Sequence, residues 1–415
     1  MRHSRISSRT NPLITLRPLA MLDSNRNLFF LATICAFCVA NIYYSQPMLG
    51  LIAQEFGGEA GSVSVIATIV QLSYAAGLVV FVPLGDRLSR RGLLVGLITL
   101  NALGSLCAAC ATSLFALGVS NIVIGMTSVG GQIIIPAVSL YARENRRGHA
   151  MGIVTSGLLA GVLIARALSG IIGEYEGWRE MYVVATVINL ALVPFAMTII
   201  PKNVPDVKEP YATFMKSLWH LAKQPELHLP ALSGALMFGS FSALWGSLAL
   251  LAGQAPYHLN SAQIGAFGFA GLIGTLSAPF IGKLADKIGA RRVVLSGASL
   301  NMLAFMLIAF TTHQLFFLII GMIILDLGGR AGLVGNQIRA LSLDPRARSR
   351  LNTVFMSIYF LGGAVGTNLG ASVGAHYGWF GIAGLGLFAS FSVIGLNFVS
   401  RPKSALSPAQ RQDQQ

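Results

Sequence analysis

Apolar runs of about 20 residues recur from one end of the chain to the other, each separated from the next by a short polar turn. A run of that length crosses ~30 Å of hydrocarbon as a helix. The bilayer demands the helix, because each backbone N–H and C=O must find its partner within the segment. The pattern predicts twelve spans: 28–51, 62–84, 93–111, 115–140, 151–174 and 179–200, then 229–252, 262–284, 293–311, 314–339, 352–375 and 379–400. The fold class is an all-α membrane protein with two groups of six helices, at residues 28–200 and 229–400. Residues 1–27 carry Arg2, Arg5, Arg9, Arg17 and Arg26 and read as a tail; the full-length run that follows argues against a signal peptide. In the linker 201–228, Phe214, Leu218 and Leu221 fall at i, i+4 and i+7. That spacing suits an amphipathic helix on the inner membrane surface, with a solvated linker as the other reading. Residues 401–415 form a polar tail.

Composition agrees: 54% of the 415 residues are apolar and 11% charged, less than half the usual charged share of a soluble domain. The net charge of +14 raises the question of nucleic acid, and its placement answers it. Apart from Arg166, Arg179 and Arg330, the lysines and arginines fall in the tails and one alternate set of loops. The opposite loops, around 54–61, 112–114, 253–260, 311–314 and 376–378, contain none. This asymmetry puts both termini in the cytoplasm and makes the charge a matter of topology, with no nucleic-acid partner. The cysteines form Cys35-x-x-Cys38 and Cys107-x-x-Cys110 inside apolar helices, which reads as buried, inert thiols. Neither a metal nor a cofactor is expected. No nucleotide-binding P-loop and no nucleophile–base pair stands out, so the chain does not read as an ATPase or another enzyme.

Two basic turns repeat. Gly282-Lys283-Leu284-Ala285-Asp286-Lys287-Ile288-Gly289-Ala290-Arg291-Arg292 lies between spans eight and nine, and Leu84-Gly85-Asp86-Arg87-Leu88-Ser89-Arg90-Arg91 between spans two and three. Their aspartates are 200 positions apart. Gly173, Gly177 and Trp178 recur 201 positions later as Gly374, Gly378 and Trp379. Parallel repeats of this kind describe two related bundles.

The later turn, with twelve spans in a 6+6 repeat, resembles the major facilitator superfamily over residues 28–400. It matches that family's signature at Gly282, Leu284, Ala285, Asp286, Lys287, Gly289, Arg291 and Arg292; the earlier copy keeps Asp86, Arg87, Arg90 and Arg91 but has Val82 and Ser89 where the family usually has glycine. Asn41-Ile42-Tyr43-Tyr44-Ser45-Gln46-Pro47, Leu325-Asp326-Leu327-Gly328 and Ala347-Arg348-Ser349-Arg350-Leu351-Asn352-Thr353 are similar to a bacterial branch near the drug:proton antiporters. The resemblance implies alternating access, with spans one, four, seven and ten lining a central cavity. It also implies a cytoplasmic latch in which Asp86 and Asp286 meet the starts of spans eleven and five; the alternative is that these charges only set topology. Gly85, Arg87, Arg90, Arg91, Gly282, Lys287, Gly289, Arg291 and Arg292 complete the gating turns. Two features depart from the antiporters. Ala165 and Arg166 stand where their span-five motif has Gly-Pro, and Asn121 where they often carry an arginine.

Asp326 is the one acidic residue deep in a span, ~16 Å down its helix. A charge at that depth costs about 2.5–3.5 kcal/mol on insertion scales, so it marks function by default. Arg330 follows at i+4. Asp326 takes and releases a proton beside Arg330, or the two form a permanent structural bridge; the first is preferred here. Arg166 is the third intramembrane charge. One net positive charge favours an anionic, zwitterionic or polyhydroxylated solute over a large cation. Asn41, Tyr44 and Gln46 on span one, Gln71 and Tyr74 on span two, Gln132 on span four and Trp245 on span seven are the remaining candidates for substrate contact. The reading is a monomeric secondary transporter of the inner membrane that moves a small organic solute against protons, with export first and uptake by symport second. A non-transporting receptor on the same fold is the rival from another class.

Overall fold

The computed structural model describes residues 24–57, 60–143, 146–200, 210–312, 314–344 and 347–399. Most of the N-terminal tail, all of the C-terminal tail and the start of the linker lie outside the described residues. Within them, helical stretches long and apolar enough to cross a bilayer are Asn25–Phe56, Val63–Asp86, Arg90–Ala109, Leu114–Ser139, Arg147–Tyr175, Trp178–Ile199, Pro225–Ala252, Ser261–Ile288, Ala290–Ala309, Leu315–Leu341 and Arg348–Val399. The last is two spans. Gly378 breaks it with φ 57° and ψ −143°, and a Cβ placed at Gly381 would lie 2.8 Å from the carbonyl of Val373. Eight helical residues would separate those positions by ~12 Å, so the chain turns back at Gly378 and the spans are twelve.

Span one is not continuous. Pro47 has no N–H for the carbonyl of Tyr43, and its ring crowds that carbonyl. Residues 41–44 respond by tightening into i→i−3 bonds, Tyr43 N donating to Ala40 O at 2.9 Å and Gln46 N to Tyr43 O at 3.2 Å. The helix resumes at Ser45–Phe56.

The same pairings build both halves. In the first half span one packs on five, two on four and three on six; in the second, seven packs on eleven, eight on ten and nine on twelve. The duplication inferred from the basic turns is thus also a duplication of packing. Lipid tails give no hydrophobic drive between helices, so close backbone approach has to supply the attraction. Along the seven–eleven contact, Ala235, Gly239 and Ala243 face Gly362, Gly366 and Gly370 backbone to backbone. The outer surface is apolar, with Phe388 and Phe391 70% and 71% exposed, as suits a lipid-facing wall.

Two expectations need correction. Cys35 and Cys38 are buried, but Cys107 and Cys110 lie on the exterior of the first bundle. The linker does form an amphipathic helix, Tyr211–Ala222, with Phe214, Leu218 and Leu221 buried. Its apolar face, however, rests on protein: the Tyr211 hydroxyl donates to Val80 O of span two at 3.1 Å, and the Arg350 guanidinium of span eleven lies 5.9 Å from the Phe214 ring. The helix bridges the two halves where a membrane-surface helix was expected.

Candidate functional site

Between the bundles lies a cavity of about 100 Å³ lined from both halves. Tyr43, Tyr74, Gln132, Asp326 and Arg330 supply its polar groups; Phe238, Phe241, Met356, Tyr359 and Phe360 dominate the rest. Asp326 is 6% exposed. Its Oδ2 stands 3.9 Å from Arg330 Nε, at the limit of an ion pair, and neither atom has a hydrogen-bond partner. Space for this carboxylate is made by span eight. A Cβ at Gly274 would collide with Asp326 Oδ2, and one at Gly271 would lie 3.6 Å from Oδ1.

A smaller void behind the first joins Asp326 to Arg166, Phe241 and Trp245. Arg166 is 2% exposed, and its guanidinium is enclosed by rings. Its Cζ lies 3.6 Å from the Trp245 centroid, 4.9 Å from Tyr43 and 5.6 Å from Phe241. Arg166 Nε donates to Gln46 Oε1 at 3.1 Å. Its Nη2 has no partner. Arg166 comes from span five and Asp326 from span ten, so charges of opposite sign face each other across the bundle interface.

The sequence candidates therefore divide. Arg166, Gln46 and Trp245 form one group around the guanidinium, and Tyr74, Gln132, Asp326 and Arg330 line the cavity. Asn41, Tyr44 and Gln71 are placed elsewhere. Asn41 shares hydrogen bonds with Asn189 of span six, and Asn189 donates to Asn101 of span three at 3.1 Å, an internal network of the first bundle. Tyr44 is buried in that bundle's core. The Gln71 amide donates to Thr367 Oγ1 at 2.8 Å and accepts from Ser242 Oγ at 3.3 Å, fastening spans two, seven and eleven together. Tyr43 takes the cavity position expected of Tyr44, because the face of span one that meets the cavity is that of Val39 and Tyr43, one helical turn apart. Phe238 and Phe241 were missed although they stand at i−7 and i−4 from Trp245, a helical stripe visible in the chain.

The basic turns contact their own bundles and the linker helix in this conformation. Asp86 pairs with Arg90 at 3.2 Å; Asp286 is exposed and, among the described residues, has no hydrogen bond or ion pair. Arg91 Nε donates to Ile200 O at 2.6 Å, and its repeat Arg291 donates from Nε to Asn397 O at 3.1 Å. Each arginine so caps the C-terminal end of the last helix of its half, where unpaired carbonyls and the helix dipole favour a cation. Arg87 lies 5.8 Å from the Tyr211 ring of the linker helix, and Gly85 leaves 3.1 Å between a would-be Cβ and Ile133. Gly289, at φ 90°, makes the corner between spans eight and nine. Gly282 faces open space, and Lys287 and Arg292 are exposed.

On the opposite side the bundles are closed. A Cβ at Gly170 of span five would lie 2.9 Å from Gly265 Cα of span eight. Glu174 Oε2 accepts from Ser261 N at 2.9 Å, capping the N-terminus of span eight beside the Asn260–Gln263 capping box. Replacing Glu174 with alanine is expected to lose about 1 kcal/mol of closure, roughly five-fold in the open-to-closed ratio. Spin labels at Gln54 and Gln254, which line a pocket on the same side as Glu174, would then show a longer distance component. A distribution identical to that of the unaltered protein would count against a closing role for Glu174.

This geometry can be set beside known proteins. The sequence profile of the Major Facilitator Superfamily matches residues 29–276 and 230–414. The chain is 35% identical over 349 residues to the uncharacterized transporter YgaY of Escherichia coli O157:H7, covering 83% of this chain and 88% of that protein. It is 32% identical over 354 residues to the transporter SCO4007 of Streptomyces coelicolor, covering 85% and 82%. The crystal structure of a bacterial homologue of the human lysosomal transporter Spinster, in an inward-facing and occupied conformation, superposes with a TM-score of 0.73 at 12% identity, over 92% of this chain and 98% of that one. A duplicated six-helix bundle, the basic turns and a central cavity converge with these matches: the chain belongs to the Major Facilitator Superfamily and is a multi-pass membrane transporter of that family.

Proposed function

We propose that the chain carries a small organic solute across the bacterial inner membrane by alternating access, with Asp326 taking up and releasing a proton in each cycle. The observation that carries this reading is the incomplete Asp326–Arg330 pair: 3.9 Å apart, without a hydrogen bond at Oδ2 or Nε, at the wall of the central cavity. A permanent structural bridge in such a place would close to hydrogen-bond distance, because leaving buried polar atoms unpaired costs about 1–3 kcal/mol each. A carboxylate that alternates between ionised and protonated states is served by a partner near enough to stabilise the charge and far enough to release it. Both termini and the basic turns face the cytoplasm in this reading. The closed side, with Glu174 on Ser261, then faces outward, and Asp86 and Asp286 engage the opposite half when the cavity opens there. Export, as in the antiporters that the sequence resembles, and uptake both run through this one protonation step.

The test is flux in proteoliposomes under an imposed pH gradient. Asp326→Asn, which keeps the shape and removes the titrating group, is expected to make the solute distribution indifferent to the gradient. If wild type and Asp326→Asn respond to the gradient alike, Asp326 does not carry the proton.

A further inference from the structure

We infer that the cargo is a small organic monoanion with an apolar body, held by its carboxylate at Arg166 and Arg330 and bound together with the proton on Asp326. This rests on the preceding reading of Asp326 and adds to it the class of cargo and the sense of coupling.

The charges are unbalanced to begin with. Two guanidiniums and one carboxylate converge on the interface between the bundles, and three of their atoms lack partners: Arg166 Nη2, Arg330 Nε and Asp326 Oδ2. Elsewhere Arg166 is engaged through its Nε with Gln46 and through its faces with Trp245 and Tyr43. Its void is the one it shares with Asp326. The groups around Asp326 leave both guanidiniums short of an anionic partner. Span eight offers Gly271 and Gly274, which have no side-chain donor, and span seven offers Phe241. Spans one, two and eleven bring the phenols of Tyr43, Tyr74 and Tyr359, and span four the amide of Gln132. The cationic groups are Arg166 of span five and Arg330 of Asp326's own span.

Asp326 is in effect a tethered carboxylate lying between two cations, in the place a cargo carboxylate would want. The two compete while Asp326 is ionised. Protonation removes the competitor and frees both guanidiniums, so anion and proton promote each other's binding, and by linkage the coupling is reciprocal. A cationic cargo would do the reverse: it would need Asp326 ionised, compete with the proton, and meet two arginines. The arrangement therefore favours an anion and proton that cross together, in either direction the gradients dictate, over exchange of the two. The walls decide the body. Phe238, Phe241, Met356 and Phe360 are apolar, and about 100 Å³ is on the scale of a single ring, an engineered apolar cavity of ~150 Å³ being able to hold benzene.

Three molecules with one ring and different charge test this on the purified full chain in detergent: benzoate, benzamide and benzamidine, with hexanoate as a second carboxylate, read by thermal stabilisation. The expected result is stabilisation by the carboxylates, little by benzamide and none by benzamidine. Carboxylate affinity should weaken as pH rises, by up to about ten-fold per pH unit where one proton accompanies one anion. Arg166→Gln should lose carboxylate binding at least ten-fold and Arg166→Lys restore part of it; if Arg166→Gln does not fold, Arg330→Gln gives the same reading. Preference for benzamidine, no response to either carboxylate, or affinity that rises with pH would overturn the proposal. A pH slope that persists in Asp326→Asn would overturn the proton role of Asp326, here and above. Proton-driven flux intact in the absence of any carboxylate binding would overturn the anionic cargo alone.

Discussion

Gly366→Val is expected to yield no folded protein. The position lies where spans seven and eleven cross, and a Cβ there would sit on the carbonyl group and Cα of Gly239. Overpacking usually costs about 1–3 kcal/mol because neighbouring side chains can turn aside. Here the obstacle is backbone on a facing helix, so relief requires the helices to separate along the whole stripe of Gly362, Gly366 and Gly370. Separation forfeits the close contact that holds helices together in lipid, and total stability is only about 5–15 kcal/mol. Gly395 provides the control. Nothing lies within 4 Å of a Cβ there, and Gly395→Ala should be neutral or gain up to about 1 kcal/mol from helix propensity. Size-exclusion chromatography in detergent separates the two outcomes. A monodisperse Gly366→Val peak at the position of the unaltered protein would mean the crossing is looser than its glycines indicate.

Trp245→Ala should be nearly as damaging by another route. The indole is 4% exposed and lies 3.6 Å from the Arg166 guanidinium carbon. Truncating a buried tryptophan costs about 3–5 kcal/mol in cavity and lost contacts, and a desolvated cation over an indole adds ~2 kcal/mol of attraction. The guanidinium would then be left in an apolar void with Gln46 as its hydrogen-bond partner. A fall of ~6–8 °C in the melting temperature follows from a loss of that size in a chain of this length. Trp245→Phe, which keeps a ring face over Arg166, should recover more than half of it. If alanine and phenylalanine melt together near the unaltered protein, the aromatic cage contributes little to holding Arg166.

How far the site could be read from the chain depended on what each inference required. Asp326, Arg330 and Arg166 were legible because a charge inside an apolar run is costly wherever its helix points. Trp245 and Gln132 were found through the face they occupy on spans seven and four. Asn41 and Tyr44 were assigned to the cavity from the face they share, but the face of span one that meets the other bundle is that of Val39 and Tyr43, and an apolar run does not say which of its faces that will be. Gln71 has the depth and polarity of a substrate ligand. Its partners Thr367 and Ser242 lie 296 and 171 residues away in the chain, a distance over which no local pattern can speak. The amphipathic helix at Tyr211–Ala222 was predictable from its spacing, but whether lipid or protein covers its apolar stripe was not, since both are apolar surfaces.

By itself the sequence determined that the chain is a set of twelve lipid-crossing helices in two copies of one plan, because hydrocarbon forces every backbone group to pair locally and so writes each span into consecutive residues. The pairing of spans within each half, the closure of one side by Glu174 on Ser261, the cage around Arg166 and the gap between Asp326 and Arg330 were decided only by tertiary structure. The span pairing, the closure and the cage join groups from different helices, and the gap between Asp326 and Arg330, both on span ten, is set by what packs around it, Gly271 and Gly274 of span eight included. The depth and rotation of a helix against its neighbours depend on small residues meeting across a crossing, and that fit belongs to two surfaces at once.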